Sequence, residues 1–346
     1  MSRTRLSVVL SQAPGKHPAK RALEEDLAAG LLMEPGLDTA IIPNLYDLGP
    51  DHTGRIFLGG LHGDLVVLSW HYPRASFWLL DRIGVKGHFG ETQITQDDTE
   101  EEKHEELPSG IGSSGTIPDR WIYCLDLRHS NSPETFIAEI RRIARECSTR
   151  KDQKTGATPT MVDLGLPLKK ELPQPSNSSP QQPFLQSFTP EQLLESPNRR
   201  WYPVIDYSRC TNCLECLDFC LFGVYGIDHF DRILVESQDS CKKGCPACSR
   251  VCPEQAIIFP EYKTAAIAGA PVGDISGLKI DLSRLFGGDT KDALTVAVQE
   301  RDRELVADGR AAVGTSVGIP KRQADRDTTQ KDDLDKLMDD LDSLGL

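Results

Sequence analysis

Eight of the ten cysteines in this 346-residue chain lie between Cys210 and Cys252, and their spacing is the strongest constraint on what the chain can become. The first run, "RCTNCLECLDFC", sets Cys210, Cys213, Cys216 and Cys220 as C-x2-C-x2-C-x3-C. The second, "SCKKGCPACSRVCP", sets Cys241, Cys245, Cys248 and Cys252 as C-x3-C-x2-C-x3-C-P. Eight thiols this close together have three uses. A disulfide framework needs an oxidising compartment, yet the apolar run near the N-terminus, Leu6 to Leu10, is too short for the core of a secretion signal, and two thiols would be left over. Zinc is served by four thiolates per ion, but zinc modules usually pair two C-x2-C knuckles across a longer spacer. Three thiols at consecutive two-residue intervals suit the corners of an iron-sulfur cube, with the loop's own N–H groups aimed at its sulfides.

The same stretch resembles the bacterial two-cluster 4Fe-4S ferredoxins over residues 201–262. The resemblance implies a small α+β domain in which the last cysteine of each run ligates the cluster of the other run. Cys210, Cys213, Cys216 and Cys252 would then hold one 4Fe-4S cluster, and Cys220, Cys241, Cys245 and Cys248 the second. It also implies a central hairpin, matched by Tyr225 to Ile227 and Ile233 to Val235, and a returning strand within Ala256 to Pro260. Ile205, Phe222, Tyr225, Ile227 and Ile257 would keep water from the clusters. Two departures stand out: Leu221 occupies the place of a usual proline, and the second run opens with three intervening residues instead of two.

Upstream, residues 1–147 alternate short apolar runs (Leu6 to Leu10, Thr39 to Ile42, Leu65 to Ser69, Trp121 to Leu127) with helical patterns, the signature of a parallel sheet with crossover helices. The pattern is similar to Rossmann-like and flavodoxin-like folds, although the turn after the first strand, "SQAPGKH", is not G-x-G-x-x-G. A flavin or a nucleotide phosphate at the next helix is the rival to an ordinary turn. Leu23, Leu27 and Leu31 define one helix's buried face, with Glu24, Glu25 and Asp26 expected to point elsewhere. Phe136, Ile140, Ile143 and Cys147 define another's, after Ser132 as N-cap and Pro133. Cys124 and Cys147 read as small buried hydrophobes. His62, His71 and His88 flank the third strand and are candidates for ligands or bases, against surface or packing roles. The aromatic stretch Leu68 to Leu80 reads as core.

The remaining chain is less apolar. An acidic insertion at 97–115, ending in the spacer-like "GIGSSG", and a Pro/Ser/Gln-rich linker at 148–200 carry too little hydrophobic surface to order themselves. Residues 263–346 read as a mostly mobile tail with a helix near Ala293 to Val306. An amphipathic helix follows at 331–344, whose Leu334, Leu337, Met338, Leu341 and Leu344 would dock on the chain itself or on a redox partner.

A net charge of −13 with no dense Lys/Arg cluster argues against nucleic acid, and no apolar stretch reaches the ~20 residues of a membrane span. A cytoplasmic location is expected. No nucleophile with its base and no open metal position is apparent, so the sequence leans to an electron carrier over an enzyme. The rivals are an oxidoreductase subunit whose α/β domain binds flavin or substrate, and a scaffold with structural clusters or zinc.

Overall fold

In the computed structural model, the described residues are 5–15, 17–94, 110–113, 115–156, 194, 197–271 and 293–317. They form two compact units, and residues 110–113 belong with residues 200–317 and not with the chain that flanks them.

The N-terminal unit contains β1 (Leu6–Ser11), α1 (Pro18–Leu32), β2 (Leu37–Ile42), α2 (Thr53–Gly60), β3 (Leu65–Ser69), α3 (Pro73–Arg82), β4 (His88–Gly90), β5 (Trp121–Asp126) and α4 (Pro133–Gly156). Its sheet has the order β2-β1-β3-β5-β4 with every pair parallel. Buried parallel strands lack polar alternation, and β3 is buried at all five positions. The four apolar runs of the sequence correspond to β1, β2, β3 and β5. β4 is too short to leave such a signal, and as an edge strand it exposes His88 and Phe89.

One core joins Leu23, Leu27 and Leu31 of α1 to Phe136, Ile140, Ile143 and Cys147 of α4 across Val8, Val66 and Tyr123. Glu24 departs from expectation, since it is buried on the same side as the leucines. Its carboxylate accepts from the Ala13 N–H (2.5 Å), Trp70 Nε1 (2.8 Å) and Arg21 (2.8 Å), which compensates its loss of water. α4 also overruns the start of the expected linker, continuing from residue 148 to Gly156. Arg150 explains part of this: it donates to the Tyr123 hydroxyl at 2.9 Å and pairs with Glu146, fixing that turn to the sheet. Most of the remaining linker and the helix at 331–344, including Leu334, Leu337, Met338, Leu341 and Leu344, lie outside the described residues.

The second unit comprises β6 (Val204–Ile205), α5 (Glu215–Phe219), β7 (Tyr225–Ile227), β8 (Ile233–Val235), α6 (Ala247–Val251), β9 (Ile257–Ile258), α7 (Ala265–Ala268) and α8 (Ala293–Ala307). β7 and β8 make the expected hairpin, and β9 returns antiparallel to β6. The domain does not stop at residue 262. Val298 and Ala297 of α8 are buried with Phe219, Cys245, Ala247 and Val251, so part of the expected tail is core. Arg250 and Glu300 join α6 to α8 through two contacts of 2.8 and 3.1 Å. Ile227, expected to shield the site, is instead 44% exposed. No helix among the described residues is long and apolar enough to cross a membrane.

Candidate metal centre

Each cysteine run is a tight loop that leads into a five-residue helix. In the first, Asn212 and Leu214 both take left-handed backbone conformations (φ 60° and 63°), uncommon for residues with a side chain. Asn212 is held there by its side chain, which accepts from the Ile233 N–H at 2.8 Å and donates to the Asp231 carbonyl at 2.7 Å, tying the loop to the hairpin. In the second run Gly244 takes the equivalent freedom (φ 87°). α5 and α6 then carry Cys216 and Cys248 into the interior, where both are buried.

The eight thiols border two cavities of similar size. Cys210, Cys213, Cys216 and Cys252 line one, together with Ile205, Leu214, Ile233 and Ile257. Cys220, Cys241, Cys245 and Cys248 line the other, together with Phe219, Phe222, Val224 and Tyr225. Each cavity therefore takes three thiols from one run and one from the other. Among the described residues, no three His, Cys, Asp or Glu side chains converge as ligands of a single ion. The thiols surround a space instead of meeting at a point.

Burial pushes the thiols of Cys210 and Cys245 up to about 11. It drives Cys216 and Cys248, each flanked by the other thiols of its own cavity, well above the ordinary thiol range. Burial raises Cys220, Cys241 and Cys252 as well. Backbone amides oppose the effect at Cys220, through Phe222, Val224 and Gly223, and at Cys252, where the Ala256 N–H lies 3.3 Å from the sulfur. A thiolate in either cavity thus has amide dipoles to receive it, but four thiolates together would demand positive charge between them.

Two contributors were not legible as site residues. Gly110, Ile111 and Gly112 form a backbone strap: their N–H groups donate to the carbonyls of Ser208 (3.0 Å), Cys210 (2.9 Å) and Tyr207 (2.9 Å). A side chain at Gly110 would collide with the Tyr207 and Ser208 backbone, so this glycine permits the approach and is not a spacer. The other is Arg301 of α8, 1% exposed, which lines the second cavity with its guanidinium carbon 4.7 Å from the Phe219 ring centre. The signal for Arg301 was present in its spacing, three residues after Val298 and four before Leu305, on the helix's buried stripe.

Among its described residues, the α/β unit brings no comparable group together. His62 and His88 are exposed, whereas His71 is buried with Nε2 3.1 Å from Asn44 Oδ1. At the turn expected to rival a phosphate site, the Ala13 amide already faces the Glu24 carboxylate. Cys124 and Cys147 are buried, and burial raises both thiols, Cys147 to about 11.

A stretch of 64 residues, 18% of the chain, is 48% identical to a protein of Methanocaldococcus jannaschii described as an uncharacterized ferredoxin. The chain contains a ferredoxin-like domain. The match spans 43% of that relative's length, less than half of it. No family model matches the chain, and no solved structure matches it.

Proposed function

We propose that this protein is an electron carrier with two 4Fe-4S clusters, one held by Cys210, Cys213, Cys216 and Cys252 and the other by Cys220, Cys241, Cys245 and Cys248. The observation that carries the reading is the pair of four-thiol cavities, each built from both runs. Bound clusters would supply one-electron redox chemistry. The donor set fits them: soft thiolates, spread around a space, in apolar walls that need a cationic centre to offset ionisation. The Tyr225 hydroxyl is consistent with the same reading: it is buried at the second cavity beside the Cys248 sulfur, where its O–H can be donated to a ligand thiolate.

The chain's own residues then bind, shield and tune. Ile205, Ile233 and Ile257 exclude water from the first cavity, and Phe219, Phe222 and Val224 from the second. Amides directed at Cys220 and Cys252 stabilise ligand charge. Substrate chemistry falls to a redox partner, which the acidic chain would meet through a basic patch. Anaerobically purified protein should contain about eight iron and eight acid-labile sulfide per chain, two clusters of four. Stoichiometric zinc without sulfide would overturn the reading in favour of a structural site.

A further inference from the structure

We infer that Arg301 makes the two cluster sites unequal, setting the site of Cys220, Cys241, Cys245 and Cys248 at the more positive reduction potential. The inference rests on the two-cluster reading and adds to it a residue outside the cysteine runs. Among the residues lining the first cavity, the ionisable side chain besides the cysteines is Glu254. Among those lining the second, the charged side chains are Arg301 and Lys242; outside the linings, Glu300, which is paired with Arg250, and Glu304 act on Cys245, as Asp206 acts on Cys210 of the first. Reduction adds negative charge to a buried centre, so a nearby cation favours it and a nearby carboxylate opposes it.

The two cations of the second cavity are not equivalent. Lys242 is about one-third exposed and pairs with Asp308 at 2.6 Å, so water and its partner both weaken its field. Arg301 is removed from water and fixed from three directions. It donates to the Gly314 carbonyl at 2.5 Å, to the Val317 carbonyl at 2.8 Å and to Asp302 at 3.0 Å. Its guanidinium carbon lies over the Phe219 ring, 4.7 Å from the ring centre. Asp302 is absent from the cavity lining and is itself anchored by the Gly314 N–H at 2.6 Å. The pair therefore presents its positive member to the cavity and holds its negative member behind. Asp302 offsets the cost of burying a cation without abolishing the field ahead of it. In a chain that has taken up one electron, that electron would reside at the second site.

The test is a potentiometric titration of the full-length holoprotein with dithionite, followed by electron paramagnetic resonance. Two midpoints are expected, and Cys220→Ala, which removes a ligand of the second cavity, should abolish the more positive one. Arg301→Gln should lower that midpoint towards the other while leaving the other in place, and Arg301→Lys should restore most of the separation. Asp302→Asn should move the same midpoint the opposite way, upward. If Arg301→Gln does not fold, the assignment by Cys220→Ala and the direction of the Asp302→Asn shift still decide the matter. Loss of the more negative midpoint in Cys220→Ala would overturn the inference. So would equal movement of both midpoints, or of neither, in a folded and fully loaded Arg301→Gln. Protein without iron and sulfide would instead overturn the two-cluster reading beneath it.

Discussion

Around the first cavity the bracing comes from upstream in the chain, as three backbone hydrogen bonds from Gly110 to Gly112 onto the loop that leads into Cys210. Around the second it comes from downstream, as a fifteen-residue helix with side chains buried against α5 and α6. The cavities are close in volume and each borders four thiols, but one is secured by main chain and the other by side chains and buried charge. Main-chain bracing tolerates most substitutions and fails where a side chain cannot fit. Side-chain bracing fails wherever packing or charge compensation is lost. A repeated ligand motif can thus be given two different protein environments by segments that lie outside the motif.

The comparison can be broken most severely at a crossed ligand. On the two-cluster proposal, Cys220→Ala should remove the cluster of the second cavity, halving iron content, although Cys220 belongs to the first run. Quantified resonance signals that show loss of the Cys210 group instead would reject the crossed assignment. Next in size is Val298→Asp, which would place an unpaired carboxylate among Phe219, Cys245, Ala247 and Val251, at a cost on the order of 3–5 kcal/mol. Bleaching in air should then accelerate for the second cluster well before the first. Gly110→Val attacks the opposite side: the collision with the Tyr207 and Ser208 backbone should cost about 1–3 kcal/mol and shorten the lifetime of the first cluster. The smallest effect is expected from Glu300→Gln, which weakens the link to Arg250 between α6 and α8. Urea unfolding followed at the cluster absorbance should shift by about 1 kcal/mol, and by less if Arg250 is already alanine. Equal responses of both clusters to Val298→Asp and Gly110→Val would show that the two cavities share one bracing system.

Much of this arrangement was readable from local pattern. Strands β1, β3 and β5 announce themselves as apolar runs because a covered parallel strand needs no polar face. The hairpin of Tyr225–Ile227 and Ile233–Val235 was implied by the ferredoxin resemblance, whose central hairpin these two strand-like segments match. What escaped depended on partners distant in sequence. Glu24 looks like a solvated acid until Ala13, Arg21 and Trp70 are placed around it. Gly110 looks like spacer because backbone hydrogen bonds leave no mark in composition. Arg301 escapes because a cation on an apolar stripe reads as an interruption, whereas here Asp302 and two carbonyls make its burial tolerable. The extent of α4 escapes for the same reason, since Arg150 gains its tie to the sheet, the Tyr123 hydroxyl, only in the folded unit.

The borrowing of one thiol by each cavity also bears on the order in which the protein is made. As the chain is synthesised, the second cavity gains its last cysteine with Cys248 and the first with Cys252. Neither four-thiol set is complete when the first run alone has emerged, so on the two-cluster proposal neither site could load fully at that stage. Arg301 follows about fifty residues later, a delay of roughly 3–10 s at ordinary synthesis rates. During that interval the strap-bearing segment is already available to the first cavity, whereas the second waits for its helix. Delivery of iron and sulfide that begins on the ribosome would therefore fill the two sites in succession, the one braced from upstream before the one braced from downstream.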